Sequence, residues 1–224
     1  MANIAFAIET LPHISEAHSE DDDAFVELYR NFRLDALQAD PDAFGSSYEE
    51  ESQRPRQFWR DRLANPKAVH FIARDAAQDV SCADAWLGMI VLLGPKDMDT
   101  TEVVSAKGSP WPMFGANDES TESHTGVATY HITGTFNKPS ARGNGIGVAL
   151  LKAALGYAAD GCAELGRKQA RVTLTVDQIN EAATKLYEKV GFYQVGEEWY
   201  TPRPRGMEEQ WDRLAVHYEM RATV

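Results

Sequence analysis

The residues best suited to chemistry are Arg142-Gly143-Asn144-Gly145-Ile146-Gly147, set between an alternating segment and a helical one. Glycines at a strand-to-helix turn let backbone N–H groups converge on one point with no Cβ in the way. The first turn of the following helix adds unpaired N–H donors and the positive end of its dipole. A phosphate or pyrophosphate is the natural ligand of such a cradle, and a plain tight turn is the alternative. Two known phosphate patterns can be tested against the residues. A nucleotide P-loop needs Lys and then Ser or Thr after its last glycine, but Val148-Ala149 follow Gly147. The dinucleotide fingerprint needs Gly-x-Gly-x-x-Gly, and the glycines here fall at 143, 145 and 147. Neither pattern fits.

The elements that position this loop can be read from periodicity. Ala128, Tyr130, Ile132, Gly134 and Phe136 alternate with Thr129, His131, Thr133 and Thr135, which predicts a strand with one apolar and one polar face. After the loop, Val148, Leu151, Leu155, Ala158, Cys162 and Leu165 fall three or four apart, an amphipathic helix. A strand follows at Val172–Val176, then a helix capped by Asn180, with Ala183, Leu186 and Val190 inward and Gly191 as its left-handed stop. Strands close the chain at about 193–200 and 214–220.

Upstream, Ile4–Leu11 predicts a strand, and Ser19-Glu-Asp-Asp22 resembles a capping box for a helix carrying Phe25, Leu28, Phe32 and Ala36, which Asp40-Pro41 closes. A second helix is expected over Tyr48–Leu63, and strands at Val69–Ala73 and Ala85–Leu93. Between Pro95 and Thr125 periodicity is lost, and a loop of that length is functional or disordered; Trp111 and Phe114 suggest that part of it packs. No repeat or linker interrupts the pattern, so one α/β domain over residues 1–224 is expected.

Composition bounds the function. Thirty-four Asp and Glu against 22 Lys and Arg give a net charge of −12, a poor basis for binding DNA or RNA. No run of about 18 apolar residues is seen, so no membrane-spanning helix is expected. The N-terminus lacks the flanks of a secretory signal, which leads to a cytoplasmic expectation with the nucleus left open. Two cysteines supply neither a disulfide scaffold nor a four-ligand zinc site, so no metal is expected. Cys162 reads as a small core residue, with nothing local to support an acyl-cysteine route.

The loop does fit Arg-x-x-Gly-x-Gly, and Arg142-Gly-Asn-Gly-Ile-Gly147-Val-Ala-Leu-Leu with the preceding Pro139 resembles the pyrophosphate motif of the GNAT superfamily of acyl-CoA N-acyltransferases. Leu174-Thr-Val176, Asn180-Glu-Ala-Ala183 and Leu186-Tyr187-Glu-Lys-Val-Gly191-Phe192 resemble its second motif at the expected distance. Asp40-Pro41-x-Ala-Phe44-Gly-Ser is also similar to a pattern common among members. The resemblance implies a mixed, mostly antiparallel central sheet of six or seven strands flanked by helices, with residues 95–125 as a long insertion before the motif strand. It implies acetyl-CoA as cofactor and acetyl transfer to a primary amine by direct attack in a ternary complex. Transfer of another acyl group, or a catalytically silent CoA-binding module, are the alternatives.

By the same resemblance, the backbone around Phe136, Asn137 and Lys138 would pair with the pantetheine arm, and the N–H groups from Arg142 through Gly143, Asn144, Gly145, Ile146 and Gly147 would hold the pyrophosphate. Asn180 would touch the pantetheine or cap its helix, with Ala183 beside it. Tyr187 would stand at the family's general-acid position, or be a half-buried core tyrosine. The acceptor amine raises a separate problem: with a pKa of about 10.4, only about one molecule in a few thousand is neutral near pH 7, so recovering the nucleophile costs roughly 4–5 kcal/mol without a base. Many relatives carry a glutamate on the polar face of the motif strand, and this strand has none. His131 is then the candidate base, ahead of Tyr130 and His124, or else a strand histidine bonded to the threonines around it. An arylamine would need no base. Trp199, Tyr200 and Pro202-Arg-Pro-Arg205 line the acceptor end or form a surface loop. The excess of carboxylates favours a cationic acceptor, a small molecule or a peptide.

Overall fold

Seven strands form one open sheet in the computed structural model, which describes residues 4–14, 20–115, 126–202 and 211–223. They are β1 (Phe6–Thr10), β2 (Ala68–Asp75), β3 (Trp86–Lys96), β4 (Val127–Asn137), β5 (Gln169–Asp177), β6 (Tyr193–Tyr200) and β7 (Arg213–Thr223), in the order β1-β2-β3-β4-β5-β7-β6. β4 and β5 run parallel and the other neighbours antiparallel, as the expected mixed sheet requires. A parallel pair needs a crossover, and α4 (Ile146–Glu164) supplies it.

Side-chain alternation sorts the core into two layers. On one face α1 (Glu20–Ala39) and α3 (Arg56–Ala64) bury Val26, Tyr29, Phe32, Leu37, Trp59 and Leu63 against Ile72, Met89, Val91 and Leu93. On the other, α4 and α5 (Glu181–Val190) cover Ile90, Leu92, Tyr130 and Ile132. By length and composition α4 could cross a membrane, contrary to the expectation that no such run exists. In this fold Leu150, Leu151, Ala154, Ala158 and Cys162 pack it onto the sheet, as in a core helix. Its buried stripe is turned slightly from the expected one, for Val148 and Leu155 lie at its margin and Leu165 is exposed.

Two other expectations are corrected. The helix expected over Tyr48–Leu63 is two helices, α2 (Tyr48–Ser52) and α3, because Pro55 has no N–H and holds extended backbone at the start of α3. Ser47 caps α2, its Oγ accepting from the Glu50 N–H at 3.3 Å. The polar face of β4 is buried rather than open, because the described part of the loop after β3 is strapped across it. Asp99 O accepts from Arg171, Val104 O from Thr175 Oγ1 at 3.1 Å, and Phe114 stacks on His131. Met98, Val104 and Phe114 are buried, so the packing suggested by Phe114 is real. Ser19, His124 and residues 203–205 lie outside the described residues.

Candidate active site

A cleft of about 550 Å³ opens where β4 and β5 part. The two strands pair from Val127–Gln169 to Ile132–Leu174, and β5 then continues to Asp177 against β7 alone. Residues 133–137 of β4 therefore keep β3 on one edge and face the cleft with the other. Met89 pairs with Phe136 and Val91 with Thr133, so Gly134 and Thr135 stand opposite Ile90 alone, a β-bulge. Gly134 has φ +63°, a conformation that glycine adopts without strain. The bulge breaks the alternation read from sequence. Phe136 joins the His131 face and packs on Phe32 and Phe44, with centroids 5.8 and 6.3 Å away, while Thr135 turns toward Tyr187 on the opposite face.

The same geometry corrects which backbone groups are free. The Lys138 N–H donates to Leu87 O at 2.8 Å and its carbonyl accepts from the Ala141 N–H at 2.9 Å, so both are committed within the protein. Antiparallel pairing alternates, so Phe136 also faces β3 and Asn137, opposite Gly88, turns its N–H to the cleft. Lys138 Nζ lies over the Phe32 ring at 5.5 Å. Asn137 Oδ1 is buried without a hydrogen-bond partner.

The glycine loop has the form of an open cradle. Gly143 and Gly145 have φ of +80° and +83°, and a Cβ on either would meet nothing within 4 Å. Gly145 caps α4 without a side-chain bond, leaving the N–H groups of Ile146, Gly147 and Val148 directed out of the helix end. Gly147 is glycine for another reason: a Cβ there would come within 2.8 Å of Leu186, so it lets α4 approach α5. Asn144 braces the loop from behind, its Nδ2 donating to the Ala141 and Arg142 carbonyls and its Oδ1 accepting from the Ile4 N–H. Arg142 is half exposed and tethered, with Nε on Asn137 O at 3.2 Å and Nη2 on Asp40 at 2.9 Å.

Asn180 caps α5, its Oδ1 accepting from the Ala183 N–H at 3.1 Å, and both residues line the cleft. Tyr187 is 6% exposed and also lines it. Burial raises the Tyr187 pKa; the Thr135 hydroxyl, close by but without a hydrogen bond of good geometry, opposes the shift. Burial likewise pushes the His131 pKa down to about 3, with His217 adding in the same direction. Thr173 Oγ1 donates to Tyr130 O at 3.0 Å, so it accepts from the His131 Nδ1–H at 3.0 Å, which leaves Nε2 with the lone pair. Tyr130 belongs to the opposite layer, packed beneath α4.

Sequence inspection missed several groups that line this cleft, Arg33, Glu51, Arg62 and Asp177, whereas the segment 104–111, which also lines it, belongs to the long loop singled out there. One signal was available for Arg33, which interrupts a helical row between Tyr29 and Leu37, both buried. Tyr200 lines the cleft, donating to Asp177 at 2.9 Å, whereas Trp199 is exposed and does not. Among the described residues no cluster of His, Cys, Asp and Glu could hold a metal.

Known proteins share this arrangement. Arabidopsis thaliana NAA60 in complex with acetyl-CoA aligns with a TM-score of 0.56 at 15% identity, over 96% of this chain and 99% of that one. A GNAT-family acetyltransferase from Streptococcus pneumoniae gives 0.51 at 16% identity, over 97% and 100%. A spermidine N-acetyltransferase from Vibrio cholerae, in complex with CoA and spermine, gives 0.50 at 15%, over 95% and 94%. At these identities the likeness concerns the fold. No curated protein matches by sequence. The pattern of the acetyltransferase (GNAT) family nevertheless matches residues 33–192, a span that begins at Arg33 and takes in the parted strands, the glycine cradle and α5 with Tyr187. By fold and by sequence, the chain belongs to the GNAT family of acetyltransferases.

Proposed function

We propose that this protein transfers an acetyl group from acetyl-CoA to a primary amine by direct attack in a ternary complex. One observation carries the reading: β4 and β5 part at Ile132–Leu174 and the cleft so formed runs to the open cradle at Gly143–Gly147. The residues fit the cofactor. Empty space before Gly143 and Gly145 suits a pyrophosphate, and the α4 N-terminus adds favourable N–H donors. Asn137, whose backbone N–H is turned to the cleft, would donate to an extended amide-bearing arm.

Bound acetyl-CoA supplies an activated thioester carbonyl. Tyr187, its pKa raised by burial, keeps its proton on Oη at neutral pH and is suited to deliver it to the departing sulfur. An ammonium acceptor gives up two protons in forming the amide, one to solvent and one made good on the thiol. His131 is a weak base for the first of these, since with a pKa of about 3 its protonation at pH 7 costs about 5 kcal/mol. Its hydrogen bond to Thr173 and the Phe114 ring over it support the role of a wall of the cleft, and solvent then takes the amine proton.

The test is binding, then transfer. CoA at a hundredfold excess over its Kd stabilises a protein by about 2.7 kcal/mol when it binds only the folded state. A clear rise in Tm with CoA, and thiol release from acetyl-CoA with an amine panel, are expected. No shift would overturn the cofactor assignment. A shift without transfer to any amine would leave a CoA-binding module.

A further inference from the structure

A buried charged cluster on the α1 side of the cleft plays no part in the steps above. Arg33 is 6% exposed and Glu51 is 2% exposed, yet both line the cleft with Arg62. Arg33 Nε and Nη2 hold the two Glu51 oxygens at 3.0 and 3.2 Å, and Nη2 also donates to Ser46 Oγ at 2.8 Å. Arg62 Nη2 reaches the same carboxylate at 3.5 Å, and its guanidinium lies over Phe58 and Trp111 at 4.4 and 4.9 Å. Burial opposes ionisation of Glu51, but the two arginines overcome it and hold its pKa at about 2. Tyr29 and His70 face the same cluster and are neutral at pH 7, since burial raises the first and lowers the second to about 4. Two guanidinium charges thus share one carboxylate, leaving the cluster one positive charge in excess.

Arg33 Nη1 is buried and has no hydrogen-bond partner. A buried donor left unmade costs about 1–3 kcal/mol, more on a charged group, and such a group in a cleft calls for a ligand that completes it. Arg33 lies 4.3 Å above the Phe44 ring, and Phe44 packs on Phe136, so the excess charge is two rings from the cleft edge of β4. The cleft as a whole is not acidic despite the net charge of −12: among the described residues five Lys and Arg line it against four Asp and Glu.

We propose that the acceptor is an amino-carboxylate, whose carboxylate docks on Arg33 Nη1 and Arg62 while its amine faces the parted strands. This rests on the acetyltransferase reading and names the substrate class for it. Guanidinium groups suit a carboxylate in charge and in planar donor geometry, and a charge-assisted bond of about 1.5–3 kcal/mol corresponds to tenfold to more than hundredfold in selectivity. It also replaces the cationic acceptor expected from composition by a zwitterion: a cation at the reacting end and an anion at the anchored end.

The experiment uses matched pairs with the unaltered protein: phenylalanine against phenethylamine, leucine against isopentylamine, and 4-aminobutyrate against propylamine, each followed by thiol release from acetyl-CoA. At least tenfold higher kcat/KM for carboxylate-bearing members is expected. Arg33→Lys keeps a charge beside Glu51 but removes the Nη1 donor; it should raise KM for those members tenfold or more, with CoA binding unchanged. If Arg33→Lys does not fold, the matched pairs alone decide. Equal rates within the pairs would overturn the carboxylate anchor and leave the acetyltransferase standing. If CoA binds but no acceptor reacts, calorimetry of 3-phenylpropionate and hexanoate on the CoA-loaded protein decides: saturable binding lost in Arg33→Lys supports the anchor, and no binding overturns it.

Discussion

At the scale of single residues, the same force acts on Tyr187 and His131 and keeps both neutral, which bears differently on the two roles weighed for them. Burial disfavours the charged form of each, so the tyrosine keeps its proton and the histidine refuses one. An acid must hold a proton at working pH, which suits Tyr187; a base must accept one, which His131 does poorly. Replacing Tyr187 by Phe should therefore lower kcat by about a hundredfold, the range of a general acid, while the Kd for CoA stays within a few-fold. Single-turnover thiol release and calorimetry separate the two effects, and an unchanged kcat would remove the residue from the chemistry. The position of Tyr187 was legible in the motif around it. Its pKa was not, because burial depends on Phe192 and the sheet beneath it.

At the scale of elements, the cleft is made by a bulge and two glycines. The alternation of 128–136 predicts a strand correctly, but period-two reasoning cannot see an inserted residue, so it put Phe136 on the wrong face. The glycine loop was legible because positive φ and bare backbone leave a direct mark on residue choice. Gly145→Ala tests this. At φ +83° an alanine costs about 1–2 kcal/mol of stability, and its Cβ would project into the open cradle, so CoA binding should weaken at least tenfold. Gly156→Ala within α4 is the control: nothing lies within 4 Å of its Cβ, and a helical alanine should add up to about 1 kcal/mol. Denaturant melts and CoA titration of both variants give the answer, and equal CoA affinity would deny the cradle its role.

At the scale of the whole molecule, the net charge of −12 and the charge of the cleft are independent quantities. Asp40, Asp42 and Asp177 are tied to Arg142 or Arg213, and Glu198 holds Ser105 and the Ala106 N–H, so the carboxylates near the cleft brace its walls. A second global property follows from burial. His70, His131 and His217 all sit below their ordinary pKa, so the folded state binds fewer protons than the unfolded chain as pH falls below about 6.5. Their contribution is complete above that pH and is lost as pH drops toward 4, by up to about 1.4 kcal/mol per pH unit for each histidine. Urea unfolding across pH 7.5 to 4.5 should show stability falling steadily below 6.5. A flat profile over that window would contradict burial of the three neutral rings.

An α/β class, the crossover at the glycine loop and the cap at Asn180 were readable from the residues alone, and the likeness of a short motif to the family's added Tyr187 as the candidate acid. Each rests on local chemistry: side-chain period, positive φ, a helix end with unpaired N–H donors, a short motif. Tertiary structure alone decided that the segment after β3 covers the polar face of β4, whereas the break at Pro55 is local chemistry that the periodicity reading passed over. Tertiary structure alone also brought Arg33, Glu51 and Arg62 together. Those three residues stand on three helical segments or their ends, and charge balance in a cleft is a property of neighbours in space. Composition averages such charges over the whole chain, which is why an acidic protein can enclose a site with cationic character.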